Sequence, residues 1–535
     1  MPKLAQPSCI QNSGLPINAE AGKRTLLLCA IVFLALCGMK MFLGHSLVVE
    51  YKLGHQNAFA DDAFYYFVLA KHLDFDGRST FDGAYLTNGY HPLWMALLTL
   101  QYKLFGTSLL LTRYSEYFLG LGTLLFALLI ARLPNLLLNL LYTAGLFVLL
   151  SHIGFNGMET TLFAFCLLFF TYVTARRITP TPSSSVCDGI LAAACIFSRI
   201  DAAIFILPQL YFSAKSSSRR IVAFAVVGLC LLAYMVLNYH FFGTSLPISG
   251  QIKSLGNIQV NRKFLRAFTT LGHVDFDLYL GVSMWLVSPF ILRATVRPAL
   301  RNLILAFMLG FPVYFLRLAF FSSWRIWPWY NYPTLIGFVG CAPTALRVVQ
   351  ERLQKFFTYP QLAITAGVLA TLVFLVYRPA KQKPVAYFVL NQLAIQKYAS
   401  VLNGATIAMG DRAGNFAYQY PGGVDQLEGL MNDRTYFNTI HAHGDVKDLL
   451  CQRHVAFIAS YEPDLGDYNT HPVATIRASL SQFSAPTITV AREDEIGRVS
   501  DLSQFNKQTF SEPNVYLYLW KLHCPSPIGE AALRQ

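Results

Sequence analysis

Two adjacent carboxylates, Asp61 and Asp62, are the residues of this sequence best suited to chemistry. They open the segment 61–66, DDAFYY, in a predicted helix that ends near Leu73. One carboxylate can act as a general base, while its neighbour positions a substrate or holds a divalent cation, Mg2+ or Mn2+. The structural alternative makes Asp61 a helix N-cap and places Asp62 favourably in the helix dipole.

More hydrogen-bonding side chains follow at positions 79–94, which read STFDGAYLTNGYHPLW. Sugars bind to such mixtures, because their faces stack on aromatic rings and their hydroxyls bond to polar side chains. We therefore predict that Asp82, Asn88 and His91 bind substrate. The structural alternative is an Asn-Gly turn followed by a helix that begins at Pro92.

Four charged residues lie beside apolar runs further along the chain: Glu159, Arg199, Lys253 and Arg325. A cation in a buried cavity of a membrane protein is costly unless an anion visits it, so the three basic residues are candidate contacts for an anionic substrate group. Glu159 is a candidate ligand for a sugar hydroxyl or, together with Asp62, for a metal. The alternatives are a surface acid at Glu159 and an internal salt bridge from Arg199 to Asp201 or Glu159.

The composition indicates that these residues belong to a membrane protein. Of 535 residues, 54% are hydrophobic and only 13% are charged, and the mean hydropathy is +0.42. These values predict a polytopic membrane protein. The net charge of +13 does not indicate nucleic-acid binding, because the basic residues recur in short clusters between apolar runs and therefore report topology.

The apolar runs predict the spans, since a helix needs roughly 20 apolar residues to cross a bilayer. One apolar run, 188–213, is interrupted by the charged residues Arg199 and Asp201. If this run forms a pair of short helices, the basic clusters fall on the cytoplasmic side. If it forms one span, all the loops after it change sides, which contradicts the rule that basic residues mark the cytoplasmic side. We adopt the pair, which gives about eleven spans. The uninterrupted runs are 25–43, 114–131, 135–151, 160–175, 220–240, 278–292, 302–321, 332–346 and 362–378.

The predicted fold class is a membrane all-α bundle with a small α/β domain outside the membrane. Residues 1–24 form a disordered cytoplasmic N-terminus, and residues 25–378 form the transmembrane domain, with a long first outer loop at 44–113 that carries juxtamembrane helices. Residues 379–535 form the extracytoplasmic domain, with β-like runs at 405–409, 455–460 and 515–522. Cys451 and Cys524 share this polar region, and the sequence leaves their pairing open.

The order of these motifs resembles that of the GT-C superfamily of membrane glycosyltransferases, including mannosyl- and arabinosyltransferases. The resemblance implies a polyprenyl-phosphate sugar donor, an inverting transfer and a base carboxylate in the first outer loop; we place that base at Asp61, with Asp62 as runner-up. The motifs that carry it are DDAFYY at 61–66, TNGYHPLW at 87–94, GMET at 157–160, SRID at 198–201, FGTSLP at 242–247 and, more loosely, GDRAG at 410–414.

Two departures from that pattern limit the expected function. The acidic pair is adjacent, whereas some metal-dependent branches separate their acids by one residue, so metal dependence stays open. Asp74 and Asp76 have that spacing but lie at the far end of the helix. The terminal domain has no WWDYG-type motif of the oligosaccharyltransferases, which favours transfer of a single sugar over transfer of a whole glycan to asparagine.

The expected function is transfer of one sugar to a glycan, lipid or protein of the cell envelope, at the outer, periplasmic face of the plasma (inner) membrane. The expected partners are the lipid-linked donor, that acceptor and membrane lipids. The alternatives are a transporter or flippase of envelope lipids and a non-catalytic assembly scaffold. Transport requires polar groups through the middle of the membrane, whereas the predicted topology places the unusual polar residues on one side.

Overall fold

The computed structural model describes residues 19–51, 56, 59–177, 181–254, 258, 260–266, 276–322, 324–353, 386–461, 472–479, 485–499 and 515–524. Apolar helices form one part of the described molecule, and the described residues between 386 and 524 form a mixed α/β unit. The predicted run at 362–378 and most of the predicted N-terminal segment lie outside the described residues.

Within the described part of the chain, six helices are long and apolar enough to cross a membrane by length and composition. They contain Glu20–Phe42, Leu109–Ala131, Leu136–Gly154, Ser217–Phe242, Phe276–Ala294 and Pro298–Phe320. Shorter apolar helices cover Thr160–Arg176, Pro182–Ser198 and Ile200–Ser213. The chain is therefore a multi-pass membrane protein, while the total of about eleven spans stays a prediction.

The helices of this part are numbered in chain order. They are α1 Ala19–Tyr51, α2 Asp61–Phe75, α3 Pro92–Phe105, α4 Leu109–Ala131, α5 Leu136–Leu149, α6 Thr160–Arg176, α7 Pro182–Ser198, α8 Ala203–Ser213, α9 Ser217–Phe242, α10 Ile248–Ser254, α11 Arg262–Arg266, α12 Phe276–Ala294, α13 Pro298–Phe320 and α14 Pro333–Leu353. A π-helical turn, Leu150–Gly154, continues α5.

The predicted pair of short helices is confirmed as α7 and α8. Arg199 ends α7 in an extended conformation, with φ −157° and ψ 105°, and a 3-10 turn at Ile200–Ala202 precedes α8. α7 begins earlier than predicted because Thr181 and Ser184 form a capping box with Pro182 at the first helical position. α7 packs against α6 and α9, and α8 packs against α13.

The first outer loop contains the two helices that the sequence predicts, α2 and α3. Pro92 starts α3 as expected from its fixed φ. Residues 63–70 of α2 are all buried, although a surface helix would bury only one stripe. α2 is covered because the α/β unit packs against it and shares its buried core.

The α/β unit contains a five-stranded sheet in the order β2-β1-β3-β7-β6 and a two-stranded sheet of β4 and β5. β1 runs parallel to β2 and β3, and β7 runs antiparallel to β3 and β6. Strands β1, β3 and β7 lie inside the three β-like runs of the sequence. The strands are β1 Ile407–Met409, β2 Val424–Gln426, β3 Phe457–Ser460, β4 Val473–Arg477, β5 Thr487–Ala491, β6 Glu495–Val499 and β7 Leu517–Lys521.

Helices and one disulfide complete the α/β unit. The helices are α15 Ala386–Lys397, α16 Ala399–Leu402, α17 Ala413–Gln419, α18 Arg434–His441 and α19 Val446–Gln452. Cys451 and Cys524 are paired, with their Cα atoms 5.4 Å apart, which answers the question that the sequence leaves open.

Backbone-to-backbone contacts at glycines join the α/β unit to the first outer loop. A Cβ atom added at Gly89 would lie 1.9 Å from the carbonyl oxygen of Leu430, and one added at Gly423 would lie 2.7 Å from that of Asp82. A Cβ atom at Gly414 would lie 2.5 Å from the carbonyl oxygen of Asp61. Any side chain at these positions would force the two parts of the molecule apart.

Candidate active site

Asp61 and Asp62 occupy the first turn of α2, and both are half-buried. The structure corrects the N-cap interpretation of Asp61, because the capping residue is Ala60 and no side chain caps this end. Both carboxylates still lie at the positive end of the helix dipole. Their side chains are therefore available for other contacts.

The Asp61 carboxylate faces the α/β unit. Its Oδ1 atom accepts a hydrogen bond of 2.9 Å from the backbone N–H of Asn415. Burial raises the pKa of Asp61 to about 7; the Asn415 amide and Arg412 oppose this shift, whereas Asp62 and Asp411 add to it. A carboxyl with this pKa exchanges its proton near neutral pH, as a general base must.

The Asp62 carboxylate has a different electrostatic environment. Burial raises its pKa to about 6, Lys253 opposes the shift, and Asp411 and Glu159 add to it. The Lys253 ammonium lies 5.2 Å from the ring centroid of Tyr330. Burial lowers the pKa of Lys253, but Tyr330, Asp62 and Glu159 outweigh it, so the pKa lies above the usual lysine value. Lys253 therefore stays protonated beside Asp62.

Glu159 and Arg199 form a buried ion pair, with 2.7 Å between Arg199 Nη1 and Glu159 Oε1. Glu159 also accepts a hydrogen bond from the Tyr66 hydroxyl at 3.1 Å. Arg199 Nε lies 3.1 Å from Asp201 Oδ1, and its guanidinium lies 4.1 Å from the ring centroid of Tyr332. The structure thus favours the internal salt-bridge interpretation of Arg199 over direct phosphate contact, and Glu159 is not a surface acid.

The same contacts bear on the metal that Asp62 and Glu159 were expected to hold. Glu159 directs one oxygen to Arg199 and the other to Tyr66. Among the described residues, no group of three or more His, Cys, Asp or Glu side chains is placed to hold a metal ion. Both Glu159 oxygens are thus used within the protein, and metal dependence stays a prediction that the structure does not test.

His91 lies beside this ion pair. Its Nδ1 atom accepts a hydrogen bond of 3.2 Å from the backbone N–H of Ile200, and its Nε2 atom lies 3.5 Å from Glu159 Oε1. Burial lowers the pKa of His91, with Glu159 opposing the shift. His91 is therefore a neutral imidazole that joins the first outer loop to the break between α7 and α8.

Asp82 and Asn88 are used within the protein. Asp82 Oδ1 accepts hydrogen bonds from the Thr80 hydroxyl and from two backbone amides, at 2.8 to 2.9 Å, and so closes a tight turn. Asn88 is buried; its Nδ2 atom donates to Asn238 at 2.8 Å, and its Oδ1 atom accepts from the backbone of Ile248 at 3.0 Å. Asn88 thereby fixes the start of α10, the helix that carries Lys253.

Arg325 is exposed, and its guanidinium lies 4.8 Å from the ring centroid of Trp327, which stacks on Trp329. A small pocket borders Tyr330, the ring beside Lys253. Its lining is mostly apolar and includes Phe264, Leu278, Phe311, Phe315 and Leu318.

The α/β unit contributes charged residues that sequence reasoning missed, namely Asp411, Arg412 and Glu428. Arg412 lies 3.9 Å from Asp411 and 3.5 Å from the ring centroid of Tyr387. The Tyr65 hydroxyl donates to Glu428 at 3.1 Å. Burial and then Asp411 raise the pKa of Glu428 well above its usual value. The loosely matching GDRAG segment at 410–414 was the signal for the first two residues.

Two solved structures share this architecture. One is ArnT from Cupriavidus metallidurans bound to undecaprenyl phosphate, at 13% identity and a TM-score of 0.52, covering 86% of this chain and 97% of that chain. The other is the apo state of the same protein, also at 13% identity and a TM-score of 0.52, covering 88% of this chain and 98% of that chain.

Sequence comparison adds nothing further: no family model matches the chain, and no curated protein matches it. At 13% identity, a structural likeness shows the fold and leaves the chemistry to the site. The chain therefore has the GT-C fold and is a multi-pass membrane protein of that fold.

Proposed function

We propose that this protein is a membrane glycosyltransferase that transfers a single sugar from a polyprenyl-phosphate donor to an envelope glycan, lipid or protein, with inversion at the anomeric carbon. The observation that carries the proposal is the half-buried pair of Asp61 and Asp62, which has a lysine on one side and the α/β unit on the other. The GT-C fold supports the reaction class.

Asp61 is the proposed general base. Because the pKa of Asp61 is about 7, a substantial fraction of its carboxyl group is ionised at neutral pH. The ionised form is also a stronger base than an ordinary aspartate. The Asn415 amide fixes one carboxylate oxygen, which leaves Oδ2 to accept the proton of the acceptor hydroxyl. Asp62 is the runner-up, and its pKa of about 6 makes it the weaker base.

Lys253 is the proposed contact for the phosphate of the donor. An ammonium that is already protonated can stabilise the charge that develops on a departing phosphate. Lys253 interacts with Asp62, while Asp61 faces Asn415 on the α/β side. This separation suits inversion, because the attacking oxygen and the leaving phosphate must approach the anomeric carbon from opposite sides.

The proposed step balances as one displacement. Asp61 takes the proton of the acceptor hydroxyl, whose oxygen forms a bond to the anomeric carbon. The bond from that carbon to the phosphate oxygen breaks, and its electron pair leaves with the polyprenyl phosphate. No step requires a metal.

We place this site at the outer face of the plasma membrane. The disulfide between Cys451 and Cys524 supports this orientation, because disulfides persist in oxidising compartments and are rare in the cytosol. The basic clusters between the spans support a cytoplasmic N-terminus through the positive-inside rule.

The proposal is tested by transfer of radiolabelled sugar from a panel of polyprenyl-phosphate monosaccharides into envelope fractions. Purified wild type is compared with Asp61→Asn, Asp62→Asn and, as a control on the same helix, the exposed Asp74→Asn. Donor-dependent transfer that only Asp61→Asn abolishes would identify the enzyme and its base. Equal activity in all four proteins, or none with any donor, would favour the transporter or scaffold instead.

A further inference from the structure

Three arginines converge on the C-terminal end of α4. The helix ends at Arg132, whose φ of 38° is left-handed. Arg297 donates to the carbonyl oxygens of Ile130, Ala131 and Arg132, the last at 3.0 Å. Arg347 donates to those of Ala131 and Arg132, both at 3.0 Å. These bonds satisfy carbonyls that a helix end leaves without intrahelical partners.

The carbonyl oxygens satisfy part of this cluster but do not neutralise its charge. Three guanidinium groups meet here, and the acid that acts on Arg347 is Glu351. Burial, followed by repulsion from Arg347 and Arg132, lowers the pKa of Arg297 to about 10. The Nε atom of Arg347 is buried and has no hydrogen-bond partner among the described residues. The cluster therefore retains both positive charge and a donor that is not used.

The cluster lies far from the acidic pair. At the opposite end of α4, the Arg113 guanidinium lies 4.4 Å from the ring centroid of Phe59, two residues before Asp61. From Arg113 to Arg132 the helix rises about 28 Å at 1.5 Å per residue. That distance approaches the thickness of the hydrocarbon core, about 30 Å. If α4 crosses the membrane upright, Arg132 is therefore at headgroup level on the face opposite Arg113.

We propose that Arg132, Arg297 and Arg347 form a binding site for the phosphate of an anionic phospholipid, on the membrane face opposite Asp61 and Asp62. An arginine presents five N–H donors in a planar fork that matches phosphate oxygens. The hydrogen bonds to the carbonyl oxygens of α4 use only some of these N–H groups, and they hold the guanidinium groups of Arg297 and Arg347 in place. A phosphate at this level would neutralise charge that the protein leaves uncompensated.

The test uses the purified full-length chain and does not depend on its catalytic activity. Binding of phosphatidylglycerol and of phosphatidylcholine is measured by native mass spectrometry and by thermal unfolding in nanodiscs of either lipid. Arg132→Gln is the informative variant, because this exposed side chain can be neutralised while its backbone carbonyl stays as an acceptor. Arg347→Gln is the second variant. Arg176→Gln is the control. This exposed arginine ends α6, about 25 Å along the helix from Glu159, so it lies away from the acidic pair and is not part of the arginine cluster.

We expect wild type and Arg176→Gln to retain phosphatidylglycerol and to melt at a higher temperature in that lipid. Arg132→Gln should weaken retention at least about tenfold, because it removes a charge-assisted hydrogen bond to the bound phosphate that Arg176 does not make. Inorganic phosphate forms a separate arm: competition with the lipid would assign binding to the phosphate alone, and its failure to compete would assign binding to the headgroup in the bilayer. Equal retention of both lipids by wild type, or unchanged retention in Arg132→Gln, would overturn the proposal.

Discussion

The backbone N–H of Asn415 donates a 2.9 Å hydrogen bond to Oδ1 of Asp61, across 354 positions of sequence. Next to it, Gly414 contacts the carbonyl oxygen of Asp61 so closely that no Cβ atom would fit. The α/β unit therefore fixes both the backbone and the side chain of the proposed base. The properties of Asp61 depend on this contact as much as on α2.

The pH dependence of transfer should report the ionisation of Asp61. A base must be ionised to act, so kcat/KM should fall as the pH is lowered through about 7. Asp62→Asn should move this limb to lower pH, since the Asp62 charge raises the pKa of Asp61. The measurement is a pH profile of kcat/KM for wild type, Asp62→Asn and Asp74→Asn. An acid limb near pH 4 in wild type would exclude Asp61 as the base.

Stability should respond to the same carboxyl. Between its unfolded pKa, about 3.9, and its folded pKa, about 7, the folded state holds a proton that the unfolded state has lost. Unfolding free energy must therefore fall as pH rises through this window. Asn does not titrate and can still accept the Asn415 bond, so Asp61→Asn should be more stable at pH 8 by on the order of 1 to 3 kcal/mol. Thermal melting at pH 5 and pH 8 measures the difference, which should be smaller at pH 5; an Asp61→Asn variant that melts earlier at pH 8 would contradict the argument.

A methyl group at Gly414 should disturb the proposed base. Its Cβ would lie 2.5 Å from the carbonyl oxygen of Asp61 and 3.2 Å from Oδ2, so α17 and α2 must separate. We expect Gly414→Ala to lower kcat at least about tenfold, as expected for a misplaced catalytic group. Gly228→Ala is the matched control, because a Cβ there meets nothing within 4 Å. Full activity in Gly414→Ala would mean that this contact does not position Asp61.

Removal of Arg199 should affect stability more than donor binding. Its guanidinium is committed to Glu159 and Asp201, and its replacement would leave the buried Glu159 and the half-buried Asp201 without this partner. Arg199→Met should cost about 3 to 5 kcal/mol of stability, whereas the donor KM should stay within about threefold in the folded fraction. Lys253→Met should show the reverse pattern, with a raised donor KM. A large rise of KM in Arg199→Met would assign Arg199 to the phosphate.

The disulfide should stabilise the α/β unit. Cys451 and Cys524 are 73 residues apart and link α19 to the segment after β7. Replacing both with serine should reduce stability by about 2 to 4 kcal/mol. Melting curves of the double variant, with and without reductant, make the comparison; only wild type should respond to reductant. If reduction leaves the melting of wild type unchanged, the bond contributes nothing to stability.

Much of the architecture was predictable because it follows from local pattern and charge. The break at Arg199 followed from two charges in an apolar run together with the distribution of basic clusters. Helices α2 and α3 followed from an acidic first turn and from Pro92. The hydrogen-bond partners of Asp82 and Asn88 were not predictable, since a turn-closing carboxylate and a sugar-binding carboxylate share the same local sequence; substrate binding by these two residues stays a prediction.

The contacts around the acidic pair could not be predicted from the sequence. Asp411, Arg412 and Glu428 lie more than 340 positions from Asp61 in the chain, and their approach depends on how the α/β unit packs on the outer loop. The same holds for the ion pair of Glu159 and Arg199: the sequence offered it as one alternative, and only the packing of α6 against α7 chooses it.

The distance in sequence between Asp61 and Asn415 also sets an order of events during synthesis. At about 5 to 20 residues per second, a ribosome needs roughly 20 to 70 s to travel from one to the other. During that interval the segment that covers Asp61 has not been synthesised, so the hydrogen bond from Asn415 to Asp61 cannot form. If Asp61 is the base, a nascent chain therefore acquires a complete site only after the last quarter of the polypeptide has been made and has docked.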